Sequence, residues 1–355
     1  MVGVIPFFNL QEIHREYIDE LNECSKRVIG SGNYILGTSK FEEEFAKYVG
    51  STYCAGVANG TAALHLAIKS LGIKPGDEVI TVGYTFRATV SAIMYEGAIP
   101  VYIDIDPETF CMDVSKIEAK ITSKTKCIIP VHLFGNAVDM VALMKVANKY
   151  GIPVIEDCSQ AHGATINGRH VGTFGAIGTF SFYPSKNIGA LGDAGCIVTN
   201  DDKHYEAIKK LRSWEIDDIG YNYRMDNIQA EFLSVKLRHY DKILNEKRKV
   251  ASEYNKHFSN IKTKSGIEHS YNIYTILIND REEFMKRVGD KLQTRVYYDI
   301  PVSSQSQYLF NTDDLRNTNE LAKKQLSLPI YPNLDVNAVI EIVKENAYDN
   351  LCSVL

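Results

Sequence analysis

Short apolar runs rich in β-branched residues alternate, over the first 200 positions, with segments in which apolar residues recur every three to four positions. The short runs predict strands and the intervening segments predict helices. The predicted strands span 53–57, 77–82, 101–105, 127–131 and 152–156, and the predicted helices span 61–68, 88–95 and 139–150. Strands that alternate with helices form β-α-β crossovers, so the pattern predicts an α/β fold with a mostly parallel central sheet flanked by helices.

The pattern changes in the last third of the chain. A long helix is predicted over 228–254, with lysine and arginine dense between 236 and 249. A strand at 274–278 and a helix at 337–347 come after it. This mixture predicts a large domain over 1–240 and a smaller C-terminal α+β domain over 241–355.

Composition and charge exclude several classes of protein. The chain has 355 residues, of which 45% are hydrophobic and 23% charged, which is typical of a globular protein. The net charge of −5, with both signs interspersed, argues against a nucleic-acid partner. No apolar run approaches the roughly 18–20 residues that cross a bilayer, and the N-terminus lacks the basic start of a signal peptide, so we expect a cytoplasmic protein without membrane partners.

Cysteine and histidine are scattered rather than clustered. The seven cysteines include no C-x-x-C pair, and the nine histidines show no spacing typical of metal ligands. We therefore expect reduced thiols and no bound metal.

Two of the predicted strands are followed by residues suited to binding a ligand. In open α/β sheets ligands bind beyond the carboxyl ends of the strands. Asn59-Gly60-Thr61 lies between a strand and a helix, where free N–H groups favour a phosphate. An ordinary Asn-Gly turn with Thr61 as the helix cap is the alternative. Thr85-Phe86 follows the next strand and offers an aromatic face to a planar ligand.

Two further strand ends carry reactive groups. Asp157 emerges after the strand at 152–156, where it suits a metal ligand, a general base or a ribose binder. Lys186 follows an aromatic run and precedes a glycine-rich turn, which argues that this lysine points inward, where loss of water lowers its pKa and makes it a nucleophile.

A phosphate cup, a carboxylate, an inward lysine and an aromatic plate are together what pyridoxal 5′-phosphate requires. The alternative is a nicotinamide-dependent dehydrogenase that uses Gly30-Ser31-Gly32. That segment lacks a convincing preceding strand and a third glycine in register.

Ordered motifs along nearly the whole chain add a family resemblance. They lie at 31–37, 58–64, 131–136, 156–164, 175–195, 222–226 and 327–332. With them the chain resembles the DegT/StrS-type sugar-nucleotide aminotransferases of pyridoxal-phosphate (PLP) fold type I. Within that family it is most similar to the dTDP-3-keto-6-deoxyhexose 3-aminotransferases.

The resemblance implies a role for each residue around the cofactor ring. Lys186 binds the cofactor covalently and later moves the proton. Asp157 holds the protonated ring nitrogen, Gln160 approaches the ring hydroxyl, and Phe86 stacks on the ring.

The resemblance also implies how the phosphate is held. Ser181 and the backbone of Gly60 and Thr61 bind it from one subunit, and Asn222 reaches it from the second. It therefore implies an obligate homodimer with shared active sites.

The turn after Lys186 bears on which sugar carbon is aminated. The residues at 186–195 read K-N-I-G-A-L-G-D-A-G, which resembles enzymes that aminate C3 of 6-deoxyhexoses. We expect a dTDP-linked 3-keto-6-deoxyhexose as substrate, L-glutamate as donor giving 2-oxoglutarate, and a product for a surface glycan such as lipopolysaccharide O-antigen. The alternatives are a C4 aminotransferase, a UDP-sugar aminotransferase, or a regulator that binds the cofactor without turnover.

Several positions depart from the family pattern, namely Asn136, Ser159, Ala176 and Tyr297-Tyr298 in place of a His-Tyr pair. These departures concern sugar recognition rather than the cofactor. Tyr297 and Tyr298 either contact the sugar or pack in the core, and packing is the more common role of aromatic residues.

Overall fold

The structure is a computed structural model that describes residues 3–214, 219–259, 261–310, 312 and 314–347. The strands are β1 (Tyr53–Val57), β2 (Glu78–Val82), β3 (Ile99–Ile103), β4 (Thr125–Ile128), β5 (Ile155–Asp157), β6 (Thr165–Ile166), β7 (Arg169–His170), β8 (Ile177–Ser181), β9 (Gly195–Thr199), β10 (Ile267–Glu268), β11 (Tyr274–Leu277) and β12 (Gln325–Leu328). The helices are α1 (Leu10–His14), α2 (Ile18–Ser31), α3 (Ser39–Val49), α4 (Gly60–Ser70), α5 (Arg87–Tyr95), α6 (Met140–Tyr150), α7 (Asp202–Arg212), α8 (Asn227–Asn255), α9 (Arg281–Val288), α10 (Arg316–Lys324) and α11 (Val336–Ala347).

The central sheet has the strand order β3-β2-β4-β5-β8-β9-β1. Strands β3, β2 and β4 pair in parallel, and β5 pairs in parallel with β8. Parallel bridges from Ile128 to Val154 and from Val131 to Asp157 join the two groups. Only β9 among these strands runs against its neighbours β8 and β1. The predicted mostly parallel α/β sheet is confirmed, with one reversed strand.

Alternate residues of each strand enter cores on opposite faces of the sheet. Val79 and Ile197 pack with α4, α5 and α7, whereas their neighbours Ile80 and Val198 pack with α3, α6 and α8. Because both faces are covered, the strands read as continuous apolar runs rather than as alternating ones. This explains why a short apolar run was the visible signal in the sequence.

The strand predicted at 152–156 begins later than expected, at Ile155. Pro153 has no N–H group for a ladder, and its carbonyl accepts from the Ile128 amide at 3.1 Å. The contact between Ile128 and Val154 is therefore an isolated bridge rather than part of a strand.

Helix α8 continues unbroken through residue 240, the predicted domain boundary. Its C-terminal half packs with β11, β12, α9 and α11 in a further core that includes Tyr254, Tyr274 and Val339. The division into 1–240 and 241–355 remains a proposal.

The segment Gly30-Ser31-Gly32 ends a helix rather than beginning one. Gly30 and Ser31 are the last residues of α2, and Gly32 is its C-cap with φ 65°. A dinucleotide-binding loop needs a helix N-terminus after a strand, so the structure removes the dehydrogenase alternative.

Within the part of the chain that is described, no helix is both long and apolar enough to cross a bilayer. The six described cysteines are buried and free, and Cys352 lies outside the described residues.

Candidate active site

The predicted site residues lie at the carboxyl ends of parallel strands and at the helices that come after them. Gly60 begins α4 after β1, Phe86 precedes α5 after β2, and Asp157 ends β5. Ser181 ends β8, and Lys186 follows it by five residues. The fold therefore gathers these residues at one edge of the sheet.

Asp157 is a buried carboxylate held at both oxygens. Its Oδ2 accepts a hydrogen bond from the Thr89 hydroxyl at 2.9 Å, and its Oδ1 accepts from the Ser159 amide at 3.1 Å. Thr89 in turn lies 3.0 Å from the Thr85 hydroxyl. Because Asp157 is only 4% exposed, these contacts fix the direction in which it meets a ligand.

Lys186 is half-buried and has neither a hydrogen bond nor an ion pair at its ammonium group among the described residues. Burial lowers the pKa of Lys186 to about 8, against the attraction of Asp157, which raises it. A lysine with this pKa supplies an appreciable fraction of neutral amine near neutral pH. Neutral amine is the form that attacks a carbonyl.

Gly60 and Ser181 form a narrow cup at the start of α4. A Cβ atom on Gly60 would lie 2.7 Å from the Ser181 Cβ and 3.4 Å from the Ser159 Oγ. Asn59, rather than Thr61, caps the helix by accepting from the Ala62 amide at 2.9 Å.

The amides of Gly60 and Thr61 have no acceptor among the described residues. Unpaired N–H groups at a helix start, beside a serine hydroxyl, are suited to a phosphate. The cup therefore fits the phosphate group of the expected cofactor.

Gln160 and Tyr298 connect two distant parts of the chain at the site. The Gln160 amide Nε2 donates to the Tyr298 hydroxyl at 3.1 Å, and its Oε1 accepts from the Phe134 amide at 2.8 Å. Phe86 is 49% exposed, and its ring centroid lies 5.9 Å from that of Tyr298. An exposed ring beside an otherwise buried cluster leaves a face available to a planar ligand.

Glu156, the neighbour of Asp157, has a structural role. Its carboxylate is fully buried and accepts from the amides of Gly172, Phe174 and Gly175 at 2.7–2.8 Å. His132 donates to it from Nε2 at 3.1 Å, because His132 Nδ1 accepts from the backbone. These four donors occupy Glu156, so its closeness to His132 and Cys158 needs no metal ion to explain it.

Asn222 lies on an exposed loop beside the end of β1. Its Oδ1 accepts from the Arg224 guanidinium at 2.8 Å, and the next carbonyl, that of Tyr223, accepts from the Ala58 amide. It forms no hydrogen bond with Gly60, Thr61 or Ser181 of the same described chain.

Sequence reasoning missed Thr89 as the partner of Asp157. It lies in the first turn of α5, four residues after Thr85, which precedes the helix, so two threonines repeat on either side of the predicted aromatic residue Phe86. That repeat was a signal, but nothing local indicated which acid it would meet.

The arrangement fits pyridoxal phosphate in each of its parts. A cup that a Cβ atom would fill lies at one side, an oriented carboxylate and an unpaired lysine lie near each other, and an exposed aromatic face lies beside them. Lys186, Asp157, Gln160, Phe86, Ser181 and the backbone at 60–61 are the residues that could hold it. These assignments remain proposals.

Known proteins resemble this chain over nearly its whole length. The sequence profile of the DegT/DnrJ/EryC1/StrS aminotransferase family matches residues 12–345. The dTDP-3-amino-3,4,6-trideoxy-alpha-D-glucose transaminase of Micromonospora megalomicea subsp. nigra is 39% identical, and the alignment covers 95% of this chain and 96% of that protein. The UDP-N-acetyl-3-dehydro-alpha-D-glucosamine 3-aminotransferase of Acidithiobacillus ferrooxidans is 38% identical with the same coverage of both chains.

A solved structure is similar as well. S. venezuelae DesV in complex with a ketimine intermediate superposes with a TM-score of 0.93 and 33% identity, covering 98% of this chain and 99% of that chain.

Proposed function

The chain belongs to the DegT/DnrJ/EryC1/StrS aminotransferase family of pyridoxal-phosphate-dependent sugar aminotransferases, and from that premise we propose its substrates. The enzyme transfers the amino group of L-glutamate to C3 of a dTDP-linked 3-keto-6-deoxyhexose. The observation that carries the chemistry is the unpaired Lys186 near the oriented Asp157. The alternative of a regulator that binds the cofactor without turnover is excluded if the protein carries out the half-reaction with L-glutamate.

Two features support amination at C3. The names of both relatives place the nitrogen at C3, although one acts on a dTDP sugar and the other on a UDP sugar. The turn from Lys186 to Gly195 resembles the C3 enzymes. The UDP relative therefore favours a second candidate, a UDP-linked 3-keto sugar.

The bound cofactor supplies an electron sink that stabilises negative charge on the carbon next to the amino group. Lys186 is the base that takes a proton from that carbon, since its lowered pKa provides neutral amine near pH 8. The same Nζ atom returns a proton to C3 of the sugar in the second half of the reaction.

Other residues of the chain hold the reacting groups in place. Thr89 and Ser159 hold both oxygens of Asp157, and this carboxylate would stabilise positive charge on the ring nitrogen of the bound cofactor. The unpaired amides of Gly60 and Thr61 would hold the phosphate of the cofactor in one place while Lys186 moves the proton.

The proposal includes a homodimer in which Asn222 serves the partner's site. Apolar side chains near Lys186 in the sequence are exposed in the single chain, including Tyr183 (54%) and Leu191 (44%), and Leu36 is 83% exposed elsewhere in the predicted large domain. A second copy of the chain covers these side chains. We place the enzyme in the cytoplasm, where its free buried cysteines remain reduced, and its product in surface-glycan synthesis such as O-antigen.

A first experiment tests the cofactor and the amino donor, and a second one tests the sugar. The absorbance spectrum of the purified protein is recorded before and after L-glutamate, with 2-oxoglutarate measured by a coupled assay. We expect a visible band that is lost on adding L-glutamate, with one 2-oxoglutarate released per site. A Lys186→Ala variant serves as the control and gives no 2-oxoglutarate.

Keto sugars are then offered to the aminated enzyme. We expect the dTDP-linked 3-keto-6-deoxyhexose to restore the band faster than its UDP-linked counterpart or a 4-keto isomer. Faster reaction of the UDP sugar would replace the first candidate by the second, and faster reaction of the 4-keto isomer would refute amination at C3.

A further inference from the structure

The loop after Lys186 is held by side chains of one helix. The Lys247 ammonium of α8 donates to the Asn187 Oδ1 at 2.6 Å, and the Asn187 Nδ2 donates to the Ser270 carbonyl at 2.8 Å. The Lys236 ammonium donates to the Gly189 carbonyl. Gln229 accepts from the Leu191 amide at 2.9 Å and donates to its carbonyl at 3.3 Å.

These contacts come from a single face of α8. Gln229, Lys236, Tyr240 and Lys247 succeed one another at intervals of seven, four and seven residues. At about 100° per residue, the four side chains lie within roughly 20° of one line along the helix. Tyr240 donates from this line to the carbonyl of His162 at 2.6 Å. Three of the four side chains on this line of α8 therefore contact the loop after Lys186.

The two lysines of this line are unusual for their environment. Lys236 is 5% exposed and Lys247 is 6% exposed, and neither forms an ion pair with a carboxylate among the described residues. Burying an ammonium group without an opposite charge beside it costs free energy, so the group needs hydrogen bonds that replace those it made to water. Each ammonium instead donates to an oxygen in residues 187–189, next to the reactive lysine.

The loop offers little freedom beyond these contacts. The Lys186 amide donates to the Tyr183 carbonyl at 2.8 Å, and a Cβ atom on Gly189 would lie 2.2 Å from the Pro184 carbonyl oxygen. The backbone of the loop is therefore restrained by contacts among its own residues. The Lys247–Asn187 hydrogen bond adds a restraint from α8, one residue after Lys186.

We propose that Lys247 is a positioning residue for the aminotransferase reaction: through Asn187 it holds the backbone of Lys186 so that Nζ meets the reacting carbon. The effect of Lys247 on catalysis rests on the proposed function. The restraint of the loop rests on the hydrogen bonds alone. Small misplacement of a reacting group slows an enzyme by roughly 10²-fold, so this contact matters for the proton transfer.

The first test measures the loop without any activity. Hydrogen–deuterium exchange of the amides at 186–191 is compared in the full chain, with and without cofactor. We expect Lys247→Met to speed exchange about tenfold or more, because the loop opens locally more often. Lys247→Arg, which keeps a buried donor, restores part of the protection. Lys249→Met is the matched control, since Lys249 is exposed and, among the described residues, forms an ion pair with Glu246 alone.

The second test measures the reaction with L-glutamate. We expect Lys247→Met to lower kcat by about 10- to 100-fold while KM for L-glutamate changes less than about twofold. Lys247→Arg recovers part of kcat, and Lys249→Met equals the wild type. Asn187→Ala loses at least as much, because it also removes the hydrogen bond to the Ser270 carbonyl. The Asn187→Ala/Lys247→Met double variant loses no more than Asn187→Ala alone, since both changes remove the Lys247–Asn187 contact.

The outcomes separate this proposal from the proposed function. If the wild type reacts with L-glutamate but Lys247→Met matches it in exchange and in kcat, the positioning role is refuted and the function stands. If the wild type does not react, the function is refuted, and unchanged exchange in the variant refutes the restraint as well. Should Lys247→Met fail to fold, Asn187→Ala decides by the same two measurements.

Discussion

Two adjacent acids in the site illustrate how position decides chemistry at the scale of a residue. Glu156 and Asp157 are consecutive in β5, and successive side chains of a strand point to opposite faces. Glu156 meets backbone amides and His132, whereas Asp157 meets Thr89 and the site. Glu156 therefore stabilises the fold, and Asp157 is available to a ligand.

The orientation of Asp157 leads to a prediction about catalysis. We expect Asp157→Asn to lower the rate of the reaction with L-glutamate by at least about 100-fold, because the neutral amide no longer stabilises charge at the ring nitrogen. The similar shape keeps the contacts to Thr89 and Ser159, so the thermal unfolding midpoint stays within a few degrees of the wild type. Stopped-flow absorbance and thermal unfolding test both parts. A rate within about tenfold of the wild type contradicts the role of Asp157.

The state of Lys186 predicts how cofactor uptake depends on pH. Burial lowers the pKa of Lys186 to about 8, so the amine is protonated below pH 8 and neutral above it. Because the neutral amine attacks the cofactor, uptake by the cofactor-free protein accelerates as pH rises from 6 and levels off above about pH 8. Absorbance after rapid mixing at each pH measures the rate. A rate that keeps rising towards pH 10 would show an unperturbed lysine.

Helices and strands contribute to the candidate site through the residues at their ends. The start of α4 forms the cup that we propose for the phosphate, and its closeness to Ser181 leaves no room for a side chain. Glycine at this position is required by space rather than by backbone angle.

The cup predicts the effect of one methyl group. We expect Gly60→Ala to weaken cofactor binding by about tenfold or more, because its Cβ would lie 2.7 Å from Ser181 and would enter the phosphate cup. Gly30→Ala in α2 is the control, since nothing lies within 4 Å of the added atom. Fluorescence titration of the cofactor-free proteins gives the two dissociation constants. Equal constants for Gly60→Ala and the wild type would exclude the cup as the phosphate site.

Helix α8 predicts a pH-dependent stability at the scale of an element. Burial lowers the pKa of Lys247 from 10.5 to about 7, so between these pH values the unfolded chain binds more protons than the folded chain. The free energy of unfolding therefore rises with pH in this window, by up to about 1.4 kcal/mol per pH unit from this group.

This contribution is isolated by comparing variants. Lys247→Met lacks the group, so the wild type gains stability relative to it as pH rises from 7 to 9. Urea unfolding at each pH measures the difference, and Lys249→Met, on the exposed face, keeps a constant difference from the wild type. Parallel curves for the wild type and Lys247→Met would show that the ammonium is not buried in solution.

At the scale of the whole molecule, the first described residues meet the C-terminal part of the chain. The Ile5 amide donates to the Lys291 carbonyl at 2.9 Å, and the Gln293 amide donates back to the Ile5 carbonyl at 2.9 Å. The start of the chain thus packs beyond the predicted boundary, although 1–240 was predicted as one domain. The division into 1–240 and 241–355 remains a prediction.

The proposed shared site predicts complementation between two inactive variants. Lys186→Ala removes the reacting amine, and Asn222→Ala removes the proposed contact to the partner's phosphate. In a mixed dimer, both changes fall in one site and the other site is intact. Because random association makes about half of the dimers mixed, mixing equal amounts of the two variants restores up to about a quarter of the wild-type activity. Activity is measured after joint refolding, and each variant refolded alone is the control. If Asn222 acts in its own subunit, mixing restores nothing.

Much of the fold, and the grouping of residues at the candidate site, was predictable from the sequence. Strands buried on both faces appear as apolar runs, and the helix pattern at 61–68 lies within α4. Because parallel strands end at one edge, Gly60, Asp157 and Ser181 could be assigned to one site before any contact was known. Boundaries shifted where proline removed a ladder hydrogen bond, as at Pro153.

The sequence by itself determined the elements, the order of chemical groups along them and, through its motifs, the family. The tertiary structure alone decided the partners of those groups, because the partners are far apart in the chain. Thr89 meets Asp157 across 68 residues, Gln160 meets Tyr298 across 138, and Lys247 meets Asn187 across 60. Local periodicity reports which side of an element faces the core, but a hydrogen bond depends on which distant element packing brings against that side.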